Sequence, residues 1–146
     1  TEPQGIIGAP DVSDTTYTAP ADLADIVGLE GVIADGNADM GRLAYAVAPS
    51  LMATLKTTAV DSGSGIFLWS GSGENSRLNG YRAYNSGNVP TGRILFGNWE
   101  DLIIGFWGGG VELETDRTSE FLKGNITIRA ILPCDIAIRR PASFAT

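Results

Sequence analysis

Histidine is absent from these 146 residues. Its absence removes the Ser-His-Asp and Cys-His nucleophile arrangements and the commonest zinc ligand together. A single cysteine, Cys134, excludes an internal disulfide and is consistent with a reducing compartment. No apolar run reaches the roughly 20 residues of a membrane helix, and no basic stretch leads into an apolar one as in a secretory signal. Cations are scarce, with 10 Lys and Arg against 17 Asp and Glu and a net charge of −7. A dedicated nucleic-acid binder needs a basic footprint. A shell that merely encloses DNA, without recognising it, does not.

What is there is one domain-sized unit, long enough for a real core. The 19 glycines suit tight turns more than long helices. Residues 1–17, rich in Gly, Pro, Asp and Thr, read as an extended lead-in. Thr18 is a candidate cap for a helix with Pro20 and Asp22 in its first turn. Leu23, Ile26, Val27 and Ile33 recur at helical spacing, with Leu29 and Val32 near the same face, and Gly36-Asn37 ends the pattern. Leu43 to Ala48 is a short strand. Pro49-Ser50 opens a second helix with Leu51, Met52 and Leu55 inward. Strands are expected at Ile66 to Trp69 and at Leu78 to Tyr84.

The C-terminal third is richest in strand signals. Arg93 to Phe96 is short and apolar, broken by Gly97-Asn98. Leu102 to Trp107 is apolar throughout and closed by Gly108-Gly109-Gly110. Val111 to Asp116 alternates strictly, and Asn125 to Arg140 is one β-rich run with a single proline.

Several constellations invite a chemical reading. Asp35, Asn37 and Asp39 open like a calcium loop, but Met40 and Ala46 stand where glycine and a bidentate glutamate are required; a helix stop and polar turn fit better. The loop from Gly71 to Ser76 follows a strand but lacks the third glycine and the helix of a dinucleotide site. Asn125-Ile126-Thr127 matches a glycosylation sequon inside a strand, without a secretory signal. Glu112, Glu114 and Asp116 share one face of their strand. A metal site or acid/base pair is one reading. The other is a solvated or interface-paired acidic face, with Arg129 on the neighbouring strand and Arg117, Arg139 and Arg140 as further cations. The expectation is that no catalytic, metal or cofactor site is present, and that Glu112, Glu114, Asp116 and Arg129 serve register or interface.

The order of these pieces resembles a known family. The phrase Leu95-Phe96-Gly97-Asn98-Trp99, the apolar strand, the alternating acidic strand, the corner from Asp116 to Phe121, the long strand and the terminal Arg139-Arg140-Pro141-Ala142-Ser143-Phe144 resemble the C-terminal half of tailed-phage major capsid proteins of the Hong Kong 97 type. Ala44 to Ala48, Leu51 to Lys56, Gly65 to Leu68 and Leu78-Asn79-Gly80-Tyr81-Arg82 extend the likeness from about Gly5 onward. The resemblance implies an α+β fold, a central mixed sheet flanked by two short helices. Residues 1–106 and 133–146 would form an axial-type domain, and 107–132 a projecting β-hairpin of the peripheral type. The family's N-terminal arm, extended loop and spine helix have no counterpart here, so the chain reads as a fragment. Some relatives cross-link a lysine to an asparagine with help from a glutamate. Those two positions fall here on Gly124 and Ile131, with Asn125 one residue off and therefore on the opposite face, so no cross-linking is expected.

The implied role is structural, without enzymatic activity: a phage or prophage capsid subunit in the virion, assembled in the bacterial cytoplasm. It would meet copies of itself around five- and six-fold axes and touch no membrane. A nanocompartment shell keeps the fold and changes the role. A carboxylate-based hydrolase and an isolated β-rich binding module are the alternatives from other classes.

Overall fold

The computed structural model describes residues 5–15, 21–61, 63–116, 118 and 121–146. Thr18, Pro20 and Arg117 lie outside them, as does most of the corner between Asp116 and Phe121. Helix α1 spans Leu23–Asp35 and starts at Asp22, whose side chain accepts from the Asp25 amide while Asp25 accepts from that of Asp22. This reciprocal cap satisfies amide groups that the first turn leaves unpaired. Ile26, Leu29 and Ile33 are buried on its inner side. Val27, expected inward, is exposed, because one residue past Ile26 the helix has turned its side chain about 100° away. The helix ends at Gly36-Asn37 as expected, with Asn37 at a positive φ of 50°. The Arg140 guanidinium donates to the Gly36 and Asn37 carbonyls, which suits a cation at a helix C-terminus.

Strand β1 (Leu43–Val47) runs into α2 (Pro49–Leu55), and Pro49 occupies the first turn, where its missing N–H costs nothing. Then come β2 (Trp69–Ser70), β3 (Arg77–Leu78), β4 (Tyr81–Asn85) and β5 (Ile94–Asn98). Two departures from the sequence reading have clear causes. The strand expected over 78–84 is a tight hairpin, because Asn79 and Gly80 both take positive φ, 46° and 86°. That is the turn an Asn-Gly pair favours between strands. Gly97-Asn98, expected to break β5, belongs to it. The missing side chain at Gly97 is where the Phe144 ring lies, and an added Cβ would overlap that ring.

These strands and β10 (Phe144–Ala145) form a six-stranded sheet in the order β10-β5-β1-β4-β3-β2. The sheet is mixed, since β1 and β4 are parallel and the other pairs antiparallel. Two helices and a mixed sheet make the α+β class that was expected. One hydrophobic cluster holds it together, with Tyr45, Phe96, Ile26, Ile33, Leu55 and Leu78 essentially inaccessible. Tyr45 stacks on Phe96 with ring centroids 4.3 Å apart, and Tyr81 meets both edge-on. The buried Tyr45 hydroxyl donates to Glu30, and burial, then that bond, pushes its pKa far upward. Glu30 also accepts from Asn79 Nδ2 at 2.9 Å, so one carboxylate ties α1 to β1 and to the β3–β4 turn.

Candidate assembly interface

Between β5 and β10 the chain leaves the sheet and returns. Strands β6 (Leu102–Phe106) and β9 (Cys134–Ile138) pair antiparallel from Leu102 opposite Ile138 to Phe106 opposite Cys134. Strands β7 (Glu112–Asp116) and β8 (Thr127–Ile131) form a second antiparallel ladder, from Glu112 opposite Ile131 to Asp116 opposite Thr127. The single run expected over 125–140 is therefore two strands. Pro133 has no amide for the ladder, although its carbonyl still accepts from the Trp107 amide at 3.1 Å. Between the ladders one side of the ribbon carries Trp107 to Val111 and the other only Leu132 and Pro133. The Gly108–Gly110 stretch takes up the surplus, with φ of 77° at Gly108 and 105° at Gly110.

Alternation decides what the ribbon shows. Glu112, Glu114 and Asp116 point to one side of β7. Arg129 is the direct cross-strand partner of Glu114, with Nη2 2.7 Å from Oε2. Both side chains are largely exposed. Glu112 stands opposite Ile131, and Asp116 opposite Thr127; Asp116 also accepts from the Thr118 amide at 2.7 Å. Among the described residues no group of three His, Cys, Asp or Glu is placed to hold a metal, nor is any helix long and apolar enough to cross a membrane. Arg139 and Arg140, the other candidate partners, lie elsewhere, at the foot of the ribbon.

The rest of the ribbon is largely apolar, and much of it is exposed. Ile103, Ile104, Phe106, Trp107, Leu113 and Ile128 are each at least half exposed. Outside 117–121, no described residue between 102 and 142 is buried. An isolated two-stranded ribbon is marginal in water, and exposed apolar strands with free edges pair with other chains.

The residue that sequence reasoning missed is Asp101, where the ribbon meets the sheet. It is 4% exposed. Its carboxylate accepts from the Ser143 hydroxyl and from Asn98 Nδ2 and pairs with the Arg139 guanidinium, while its carbonyl accepts from the Arg139 amide at 2.8 Å. The Ser143 hydrogen bond first, then Arg139, hold its pKa below the ordinary carboxylate value against the opposing effect of burial. The side chain thus joins the outgoing strand to the returning one. The sequence signal was slight: an aspartate beside Glu100, directly before the apolar run of β6.

Comparison with known proteins now bears on this arrangement. The sequence model of the phage capsid family matches residues 1–146, and the chain belongs to that family. The major capsid protein of Halomonas phage phiHAP-1 is 26% identical over 144 residues, which cover 99% of this chain and 23% of that protein. Among solved structures, the capsid of an empty GTA particle superposes with a TM-score of 0.67 at 16% identity, covering 99% of this chain and 55% of that one. The structure titled Mycobacterium phage Che8 gives 0.63 at 17%, covering 92% and 52%. A virus-like particle from Pyrococcus furiosus gives 0.65 at 14%, covering 96% and 57%. The fold is the Hong Kong 97 type that the sequence resembles. The chain spans less than a quarter of the curated relative and just over half of each of these solved chains.

Proposed function

We propose that this chain is a structural subunit of a phage or prophage capsid and resides in the virion. It acts by meeting copies of itself around five- and six-fold axes, and it encloses DNA without recognising it. The sheet with its two helices is the axial-type part, residues 1–106 and 133–146. The tip of the ribbon, 107–132, belongs to the peripheral type. The observation that carries the reading is the ribbon itself: a two-stranded element with many of its apolar side chains exposed, joined to a body whose own core is closed. A protein that works by contact needs such a surface, and an enzyme does not. A nanocompartment shell would share the fold, but the family match and the curated relative, both phage capsid proteins, do not favour it.

Sedimentation velocity and negative-stain microscopy test this reading. Concentration-dependent association into small oligomers or rings is expected, weakened when Leu113 and Ile128 are both changed to Ser. A folded chain that stays monomeric at the highest attainable concentration overturns it.

A further inference from the structure

The sheet holds a second surface that the fold does not explain. Arg77 and Arg82 are direct cross-strand partners between β3 and β4. Like charges directly opposite each other destabilise a strand pair, and this chain has few cations to place. Register puts Arg82 beside Ala44, on the face opposite Tyr45 and α1. Arg42 joins them from the turn before β1. With Tyr84 and Trp99 the three arginines line an open cleft of about 570 Å³ that contains no acidic residue. Their neutralisation within the chain is slight. Arg42 lies 3.9 Å from Glu100, with its side chain 85% exposed. Arg77 spends one N–H on the Gly80 carbonyl. Arg82 shares a hydrogen bond with Tyr84, a neutral partner, and Glu74 acts on it only through space. A concentration of cations in a chain of net charge −7 calls for an anion from outside the molecule.

We infer that the Arg42–Arg77–Arg82 cleft receives the acidic strand of the ribbon from a second copy of this chain, with Glu112 as the leading carboxylate. The inference rests on the self-assembly proposed above and names one contact within it. Charge complementarity selects the occupant. On the ribbon face Arg129 pairs with Glu114, the middle one of three carboxylates, and Glu112 stands at the end of the strand. Glu112 is exposed and has only Ile131 across from it. Carboxylates spaced along an exposed strand match guanidinium groups presented on a sheet face, and Arg–carboxylate pairs form paired hydrogen bonds. The two surfaces differ, so the contact is heterologous: each copy gives its ribbon to one neighbour and its cleft to the other. Such contacts close into rings when the rotation allows. Nucleic acid is the disfavoured occupant, because the net field of the chain repels a polyanion.

A charge swap tests this. Arg82→Glu and Glu112→Arg are each expected to weaken self-association about tenfold in sedimentation equilibrium at low salt, without lowering the melting temperature. An equimolar mixture of the two variants, and the Arg82→Glu/Glu112→Arg double variant alone, are expected to recover it. Arg82→Gln, without introduced repulsion, is expected to fall between. Association indifferent to both reversals, or unrestored by the swap, overturns this contact while leaving self-assembly standing. A monomeric wild-type chain overturns both. Binding of a short duplex oligonucleotide that is lost with Arg82→Glu, while association is unchanged, assigns the cleft to nucleic acid and overturns the inference.

Discussion

The sheet and the ribbon are built from the same kinds of residue and behave oppositely. In β5 every position from Ile94 to Asn98 is buried, whereas in β7 every position from Glu112 to Asp116 is exposed. Ile94 and Ile128 are both strand isoleucines; one is 1% exposed and the other 66%. Composition does not separate them. What separates them is company: β5 lies between β1 and β10, while β7 has one neighbour and two open faces. Apolar surface stabilises only when it leaves water, so the sheet holds the fold of this chain while the ribbon leaves apolar side chains exposed.

The comparison is broken hardest by emptying the sheet. Phe144→Ala removes a fully buried ring from its seat on Gly97 and is expected to cost about 3–5 kcal/mol in denaturant unfolding. Gly97→Ala acts on the same contact from the other side, overpacking it by about 1–3 kcal/mol. Ile128→Ala, on the ribbon, is expected to change stability by less than about 0.5 kcal/mol. A ribbon substitution as costly as Phe144→Ala would show that the two regions fold as one packed unit.

The junction comes next. Asp101→Asn keeps the size of the side chain and removes the charge that Ser143, Asn98 and Arg139 address, at a cost of about 1–3 kcal/mol. The pH dependence has a definite sign. The folded-state pKa of Asp101 lies below its unfolded value. The stabilisation is therefore fully present above the ordinary carboxylate pKa of about 4 and is lost as the pH falls below it. Melting temperature against pH, wild type beside Asp101→Asn, is expected to converge in acid and separate toward neutrality.

Two finer measurements sharpen the contrast. Amide hydrogen exchange is expected to report opening of 112–116 and 127–131 at a lower free energy than β1 and β5, which should exchange only by global unfolding. The Glu114–Arg129 pair, exposed on both sides, is expected to contribute about 0–1 kcal/mol in a double-mutant cycle and less in high salt. Protection along the ribbon equal to that of β1 would erase the distinction.

The elements legible in the sequence were those specified by neighbours along the chain. The end of α1 at Gly36-Asn37, the Pro49 start of α2 and the alternation of β7 are local signals, and each stands where expected. The Asn79-Gly80 turn is equally local, an Asn-Gly pair at positive φ that divides the strand expected over 78–84. What could not be read locally depends on distant partners. Gly97 looks like a breaker until Phe144 occupies its missing side chain. Asp101 looks like a loop residue until Arg139 and Ser143 close around it. The cleft escaped for the same reason, since Arg42, Arg77 and Arg82 meet only once β1 and β4 lie side by side.

The Asp101–Arg139 closure has a consequence in the order of events during synthesis. A chain emerging from the ribosome makes β5 long before β10, and until residues 144 and 145 arrive the β5 edge and the seat above Gly97 stand open. Bringing those residues back across the whole of β6 to β9 as free chain would carry a large loop-closure entropy. Zipping the ribbon first meets that cost in short steps against its own ladder hydrogen bonds, and Leu102 and Ile138 then lie side by side with the Arg139 amide at the Asp101 carbonyl. Only the few residues between Arg139 and Phe144 then remain to be ordered. The element that contributes least to the finished core is thus the one that shortens the path to completing it. Variants that weaken β6–β9 pairing should slow the final docking of β10 more than they lower the stability of the sheet.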